Sequence, residues 1–351
     1  MPSPSADAAT SAWPTAGGYQ PFVELGRGGM GAAFLARRCI SYAPLEPRGG
    51  ERSEPWKSPT WAVVKRPHPH LMKDSELHRR FHHEAALATS VRHPHLVETW
   101  GAGEDRSGPY LLLEYVHGTT LEDLMDRAAL RGSDLPLEFC LFVAAQCLEA
   151  LHALHHACDR RGTPLFAVHR DVSPQNVLVG VNGRARLSDL GVAKSRLRQA
   201  STDTRSVLGK ITYLAPEYLR ERRTGPHLDV YALGITLWTS IAGRVPFSGQ
   251  TESARIASIL EQGAPPLSSV VRRCPQELSD VVARATARDP RERIGVKDLR
   301  RELLGLVGER SGTEEIARVV QHLAGRDLEK RRSAWGLDAS VADGSWSSGN
   351  R

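Results

Sequence analysis

The most informative segment of the chain is Val168-His-Arg-Asp-Val-Ser-Pro-Gln-Asn-Val-Leu-Val179. It sets an acid, Asp171, and an amide, Asn176, in a short polar loop between a long apolar helical pattern and an apolar strand. A carboxylate can orient the proton of a hydroxyl group, and carboxylate and amide oxygens are ligands that Mg²⁺ accepts. The segment therefore holds two candidate catalytic or metal-binding side chains.

Two further polar signals follow in order. Leu187-Ser-Asp-Leu-Gly191 holds Asp189, and Ala215-Pro-Glu217 comes next. A buried helix is predicted around Asp229, and Arg293 closes Arg288-Asp-Pro-Arg-Glu-Arg293. The order of these signals restricts the interpretation far more than any one of them.

A glycine cluster, Leu25-Gly-Arg-Gly-Gly-Met-Gly31, lies near the start of the chain. Gly26, Gly28 and Gly31 have the spacing of a phosphate-binding loop, because glycine lets backbone amides approach phosphate oxygens. A glycine-rich hairpin is the alternative. A dinucleotide-binding turn would need a helix at the third glycine, whereas Ala32-Ala-Phe-Leu-Ala36 continues as a strand.

The strand Ala62-Val-Val-Lys65 ends in a lysine, and a predicted helix downstream carries Glu84. A lysine at a strand end is often only a surface residue. It gains a functional interpretation when a carboxylate on a following helix can position it.

Taken together and in order, these segments resemble the protein kinase family over about residues 19–306. The match includes the glycine loop, the strand lysine and the H-R-D-x-x-x-x-N, D-x-G and A-P-E signatures. The catalytic loop and the insert before His169 are similar to bacterial Hanks-type Ser/Thr kinases of myxobacteria and related proteobacteria. The resemblance implies an α+β fold with a small β-rich N-lobe, a larger helical C-lobe and an ATP cleft between them.

The resemblance also implies roles for individual residues. Lys65, positioned by Glu84, would hold the α- and β-phosphates of ATP, and Asp171 would orient the substrate hydroxyl. Asp189 and Asn176 would bind Mg²⁺ or Mn²⁺, and Arg293 would pair with Glu217. The remaining nucleotide-binding positions would be Leu25, Gly26, Gly28, Gly31, Ala33, Ala62, Glu114, Val116 and Leu178.

Three positions depart from the family pattern. Leu190 replaces a phenylalanine, Ala33 replaces a valine above adenine, and Ser173 occupies the place of a lysine that contacts the γ-phosphate. Lys210 stands where the family has a threonine. We hypothesise that Lys210 supplies the missing cation from the opposite wall; the alternative is an exposed lysine with no such role.

Thr202 and Thr204 precede Gly209 at the spacing at which related bacterial kinases autophosphorylate. Arg170 would read a phosphate there through charge-assisted hydrogen bonds. The alternative is an ordinary polar loop.

The predicted organisation is a disordered leader at 1–18, a kinase domain at 19–306 and a C-terminal tail at 307–351. Within the domain we expect an N-lobe at 19–113 with an insert at 39–60, a hinge at 114–118 and a C-lobe at 119–306. No signal peptide or apolar spanning stretch is evident, and five cysteines show no metal-ligand spacing. These features predict a cytoplasmic protein without a membrane anchor.

The net charge of +6 comes from scattered arginines rather than a basic stripe, so no nucleic-acid partner is expected. Expected partners are protein substrates with Ser or Thr, and a second copy of the chain for autophosphorylation in trans. Two alternatives remain: a pseudokinase scaffold, suggested by Ser173, Leu190 and Ala33, and a small-molecule phosphotransferase on a related fold. The part of the catalytic loop that reads Val172-Ser-Pro-Gln175 lacks the arginine that tyrosine-specific enzymes normally have there, which favours Ser/Thr specificity.

Overall fold

A computed structural model describes residues 14–28, 31–39, 59–73, 75–159, 161–190, 209–307, 312–338 and 341. In the N-terminal part, five antiparallel strands form one sheet in the order β1-β2-β3-β5-β4. The strands are β1 Tyr19–Gly28, β2 Gly31–Arg38, β3 Trp61–Pro67, β4 Thr99–Asp105 and β5 Gly108–Leu113. Helix α1, Ser75–Ser90, lies between β3 and β4 in sequence and contacts β4.

The C-terminal part is mainly helical. A three-stranded sheet, β6-β7-β8, lines its upper surface with β6 Gly118–Thr120, β7 Val177–Gly180 and β8 Ala185–Leu187. The helices are α2 Leu121–Leu130, α3 Leu137–His155, α4 Pro216–Glu221, α5 Pro226–Ala242, α6 Glu252–Glu261, α7 Gln276–Ala285, α8 Val296–Gly305 and α9 Gly312–Trp335. The predicted two-lobed α+β fold is confirmed.

Helices α3 and α5 form the centre of the C-lobe because most of their side chains are apolar and buried. Within the described residues, α3 is the one helix that is long and apolar enough to cross a membrane, but 67% of its most apolar window is buried inside the protein. It packs against α5, α8 and α9. Its composition is therefore accounted for by its place in the core. Cys140 and Cys147 are buried free thiols there, and burial raises the pKa of each to about 12.

The two lobes meet along the chain segment before β4. The backbone N–H of Val97 donates to the carbonyl of Leu187 at 2.9 Å, and the N–H of Leu187 donates to the carbonyl of His95 at 2.9 Å. These two bonds attach the N-lobe to β8 and bring β3 opposite the segment that carries Asp189.

The C-terminal segment spans both lobes. Helix α9 contacts α2, α3, β6 and β7. Beyond it, Leu337 and Val341 are buried in one apolar cluster with Leu35, Trp61 and Tyr115. The sequence predicted a C-terminal tail over 307–351, and Gly312–Trp335 within it form α9.

Two other segments bear on the predicted organisation. Ala16, assigned to the disordered leader, is fully buried and exchanges backbone hydrogen bonds of 2.8 and 2.9 Å with Tyr19. The leader interpretation is therefore wrong at this residue. Most of the predicted insert, residues 40–58, lies outside the described residues, and the domain boundaries stay predictions.

Candidate functional site

The catalytic loop is anchored on a single buried carboxylate. Asp229 on α5 has no exposed surface, and its two oxygens accept the backbone N–H groups of His169 and Arg170, each at 2.8 Å. His155, at the end of α3, donates its Nε2–H to the same carboxylate at 2.8 Å. Arg170 has φ of +63°, a left-handed conformation that is costly for a residue other than glycine. The carboxylate thus holds the loop in a backbone geometry that it would not adopt alone.

Asp171 and Asn176 face each other across this loop. The Asn176 Nδ2 donates to the backbone carbonyl of Asp171 at 2.7 Å and also to the carboxylate of Asp171. The carbonyl of Asn176 accepts the N–H of Ser188 at 2.8 Å. Because the nitrogen of the Asn176 amide is used by Asp171, the amide oxygen is the atom left to bind a metal. The Ser188 bond also brings Asp189, the next residue, beside Asn176.

An ion pair between Lys65 and Asp189 joins strand β3 of the N-lobe to the segment after β8. Lys65 lies on β3, and its ammonium donates a hydrogen bond to the carboxylate of Asp189. Burial raises the pKa of Asp189, but Lys65, with smaller contributions from His169 and Lys210, outweighs this and holds the pKa below its usual value. Asp189 is therefore ionised at neutral pH. Its φ of +61° is also left-handed, so its orientation is fixed at a conformational cost.

The donors gathered here suit a divalent metal. Two carboxylates, Asp171 and Asp189, and the amide of Asn176 offer oxygen atoms, which Mg²⁺ and Mn²⁺ prefer. The cation of Lys65 lies against one of them. A polyphosphate with its metal would meet both kinds of charge in one place.

The glycine cluster forms a hairpin between β1 and β2, with Gly26 opposite Ala33 and Gly28 opposite Gly31. An added Cβ at Gly26 or Gly28 would meet nothing within 4 Å, so open space lies over this backbone. At Gly31 a Cβ would lie 2.0 Å from the carbonyl oxygen of Arg66 on β3. Glycine at 31 is therefore required by strand packing, a reason that the motif spacing did not reveal.

The predicted adenine-binding residues lie around the segment that connects the lobes. Ala33 and Ala62 are on β2 and β3, Leu178 is on β7, and Glu114 and Val116 lie between β5 and β6. Leu25 is on β1, with 38% of its surface exposed.

Glu114 also has an internal contact, because its carboxylate lies 3.6 Å from Arg186 in a nearly buried position. Burial raises the pKa of Glu114 despite this arginine. Only its backbone is therefore suited to contact adenine.

Ser173 and Lys210 both belong to segments that border Asp189 and the catalytic loop. Ser173 is buried in the catalytic loop, and its carbonyl accepts the N–H of Asn176 at 3.0 Å. Lys210 lies at the start of the segment after the undescribed residues 191–208, and its charge is one of those that lower the pKa of Asp189. The lysine thus acts electrostatically on the predicted metal ligand.

Some predicted positions cannot be placed. Thr202 and Thr204 lie outside the described residues, as does the side chain of Glu84, although its backbone belongs to α1. By contrast, the predicted pair of Arg293 and Glu217 is confirmed: two hydrogen bonds of 2.6 and 2.7 Å join the side chains in a buried position. This pair fixes the start of α4, directly after Lys210 and its neighbours.

Sequence reasoning missed two histidines that support the site. His68 donates from Nε2 to the carbonyl of Gly28 at 2.8 Å and so fixes the glycine hairpin. His155 contacts Asp229, as described above. His68 follows β3 by a single residue, but no spacing rule connects it with a glycine forty positions earlier.

Comparison with known proteins agrees with this geometry. Residues 57–303 match the family described as "Protein kinase domain". The chain is 31% identical over 278 residues to the tyrosine-protein kinase MasK of Myxococcus xanthus, covering 78% of this chain and 41% of MasK. It is 30% identical over 274 residues to the serine/threonine-protein kinase PrkC of Bacillus subtilis, covering 78% of this chain and 38% of PrkC.

Among solved structures, the kinase domain of PknI from Mycobacterium tuberculosis matches with a TM-score of 0.61 and 26% identity, over 87% of this chain and 100% of that one. The chain spans about two-fifths of the length of the curated relatives MasK and PrkC.

Proposed function

The chain belongs to the protein kinase family, and from this premise we propose that it is an active enzyme that transfers the γ-phosphoryl group of ATP to Ser or Thr hydroxyls of proteins. The observation that carries the proposal is the meeting of Asp171, Asn176 and Asp189 with Lys65 in one cleft. A pseudokinase that acts as a scaffold, the alternative, would not need all four of these side chains. A divalent ion supplied with ATP would neutralise charge on the phosphates during transfer.

The residues of the chain divide the work. Asp189 and Asn176 would hold the metal through oxygen atoms, and Lys65 would turn from Asp189 to the phosphates of the bound nucleotide. Asp171, held by Asn176, would accept a hydrogen bond from the substrate hydroxyl and orient it for attack. Because Asp229 fixes the loop backbone, this orientation would need no rearrangement during the reaction.

The glycine hairpin and the segment between the lobes would position the nucleotide. The open space over Gly26 and Gly28 supports close approach of phosphates to the backbone. Ala33, Ala62 and Leu178 would cover the adenine ring, Leu25 would close the pocket edge, and the backbone of Glu114 and Val116 would bond its polar edge. Gly31 would shape the hairpin, and Glu84 would hold Lys65 when the nucleotide is bound.

The test of the proposal is transfer of label from γ-labelled ATP with Mg²⁺ to the chain itself and to a generic protein substrate. We expect label with the unchanged chain and with Asp280→Asn, an exposed carboxylate on α7 that serves as control. Asp171→Asn should reduce the rate by about 10³-fold or more, since the group that orients the hydroxyl is lost. ATP binding without transfer by the unchanged chain would support the scaffold instead.

Phosphoamino-acid analysis of the labelled products decides the specificity. We expect phosphoserine and phosphothreonine, with phosphothreonine at Thr202 or Thr204 after autophosphorylation. One relative is named a tyrosine-protein kinase, so predominant phosphotyrosine would overturn the Ser/Thr assignment. If the first-order rate constant of autophosphorylation does not change with protein concentration, the reaction does not need a second copy of the chain as a partner. A cytoplasmic location is part of the same proposal.

The proposed role of Lys210 has its own experiment. Because its charge reaches Asp189, Lys210→Ala should lower turnover by about 10²-fold, the scale of a lost charge-stabilising group. Lys297→Ala, an exposed lysine on α8, should leave turnover unchanged. Partial recovery by Ser173→Lys in the Lys210→Ala background would show that one cation serves from either position. Unchanged turnover of Lys210→Ala would contradict the hypothesis.

A further inference from the structure

A group of metal-binding side chains lies outside the cleft, on the face of the N-lobe where α1 contacts β4. His78 and His82 are four residues apart on α1, so their side chains lie on the same face of the helix. Glu104 on β4 reaches the same point. Half of the 14 histidines of the chain lie between residues 68 and 95, so this part of the N-lobe is enriched in possible imidazole ligands.

The three side chains are arranged around a common centre. The Nε2 atom of His78 lies 3.4 Å from one oxygen of Glu104, and the Nε2 atom of His82 lies 3.8 Å from the other. The two imidazole rings are 4.6 Å apart between centroids, and all three ligand atoms lie within 4.8 Å of one another. Tetrahedral zinc with bonds of about 2.0–2.1 Å holds its ligand atoms about 3.4 Å apart. One separation already has this value, and the others need shifts that partly exposed side chains can make.

We propose that His78, His82 and Glu104 bind one divalent transition-metal ion of the zinc class, with water in the remaining position. Two imidazoles and one carboxylate favour Zn²⁺, Co²⁺ or Ni²⁺ over Mg²⁺, which prefers oxygen ligands and keeps much of its water. The ligands of this site therefore differ in kind from those predicted for the metal ion that accompanies ATP. The competing interpretation is a pair of surface histidine–carboxylate contacts that take up no metal.

The ion would link a helix to a strand. Glu84 follows His82 by two residues on α1, so a metal that joins α1 to β4 would also fix the part of the helix that carries Glu84. If Glu84 positions Lys65, as the proposed function requires, metal binding would favour the arrangement needed for phosphoryl transfer. This regulatory consequence rests on the proposed function, whereas metal binding itself does not.

The first test is titration of the full chain, freed of metal by chelation, with Co²⁺ in the presence of excess Mg²⁺, followed by visible absorption. We expect one equivalent to bind with the absorption of a low-symmetry, four-coordinate site. His78→Ala, His82→Ala and Glu104→Gln should each weaken binding by about 10-fold or more, because each removes a ligand. His70→Ala, an exposed histidine of the same segment, should bind as the unchanged chain does.

Failure to bind one equivalent, or equal binding by His78→Ala and the unchanged chain, would overturn the proposal. Neither result would bear on kinase activity, which the label-transfer experiment measures separately. The link between helix and strand is tested by amide hydrogen exchange with and without Zn²⁺. Exchange over 75–90 should slow at least several-fold in the unchanged chain and not in His82→Ala, with 226–242 unaffected in both. Zinc binding without slower exchange over 75–90 would refute the link.

Discussion

The catalytic loop and the C-terminal segment are held in the protein by opposite means. The loop at 169–176 depends on directional bonds, above all the three that Asp229 accepts. The segment at 312–338, with Val341, is buried mainly through apolar side chains that contact the C-lobe along α9 and the N-lobe at Leu337 and Val341. Hydrogen bonds from Arg127 and Arg131 on the C-lobe side add to these contacts. Chemistry requires a fixed backbone direction, which hydrogen bonds provide. Joining two lobes requires buried area, which apolar contacts provide without fixing direction.

The difference predicts how each region fails. Loss of one hydrogen-bonding group in the loop leaves several buried polar groups without partners, so a single substitution should cost much free energy of unfolding. Loss of one apolar side chain in the segment removes contact area and leaves the rest of the contact in place. Polar changes in the loop should therefore be severe, and apolar changes in the segment graded.

The largest effect is expected at Asp229. Asp229→Ala removes the acceptor of two backbone N–H groups and of His155, and should lower the free energy of unfolding by about 3–5 kcal/mol. Asp229→Asn keeps one acceptor oxygen and should cost less. Urea denaturation measures both, with Asp280→Asn as an exposed control expected within about 0.5 kcal/mol of the unchanged chain. A loss below 1 kcal/mol for Asp229→Ala would show that the hydrogen bonds accepted by Asp229 do not hold the catalytic loop.

A smaller loss is expected in the C-terminal segment. Leu337 is 6% exposed and packs in the cluster with Trp61 and Tyr115, so Leu337→Ala should cost about 2–3 kcal/mol. Leu130→Ala is the matched control, because that leucine is 86% exposed, and it should cost less than about 0.5 kcal/mol. Equal midpoints in urea for the two variants would show that the segment does not hold the N-lobe.

The sequence predicted the loop far better than the segment, and the reason is physical. Asp171, Asn176 and Asp189 act through atoms that must lie at set positions along the chain, so their order and spacing survive in the sequence as a readable pattern. Leu337 and Val341 need only be apolar, and two such residues in a short stretch of mixed composition form no distinctive pattern. Their partners Leu35 and Trp61 lie about 300 residues away in sequence. No local pattern could connect them.

The same limit applies to the end of α9. The sequence from Arg326 to Arg332 is almost wholly charged, which hides the apolar stripe that continues through Leu328. That stripe packs on the C-lobe core. At the turn before β8, Gly183 combines φ of +74° with a Cβ position only 1.9 Å from the carbonyl oxygen of Thr313 at the start of α9. An Asn-Gly pair is typical of a tight turn, but nothing in the sequence indicates the close approach of Gly183 to α9.

Partner choice within the site was also only partly predictable. Lys65 was expected beside Glu84, and the structure pairs it with Asp189. Both carboxylates suit a lysine, and the sequence does not indicate that Asp189 pairs with it; the side chain of Glu84 lies outside the described residues. The pairing of Arg293 with Glu217 was predictable because both residues belong to the family pattern. Their guanidinium and carboxylate groups form two parallel hydrogen bonds in a buried position.

The smallest expected effect concerns His117, where the segment between the lobes meets α9. Burial lowers the pKa of His117, and the charges of Arg332 and Arg331 on α9 lower it further, while Glu329 raises it. The neighbouring Tyr115 hydroxyl lies 3.4 Å from its Nδ1. Because the folded state favours neutral His117, unfolding takes up a proton once the pH falls below the unfolded pKa of about 6.5. The contribution to stability is thus complete above that pH and is lost as the pH falls toward 5.

His117→Gln should therefore flatten the decline of unfolding free energy between pH 7.5 and 5.5 relative to the unchanged chain. Other buried histidines, such as His95, contribute to the decline with the same sign, so the difference between variant and unchanged chain is the quantity to measure. His322→Gln, an exposed position on α9, should keep the original slope. If His117→Gln also keeps it, the contact between α9 and the interlobe segment carries no pH dependence.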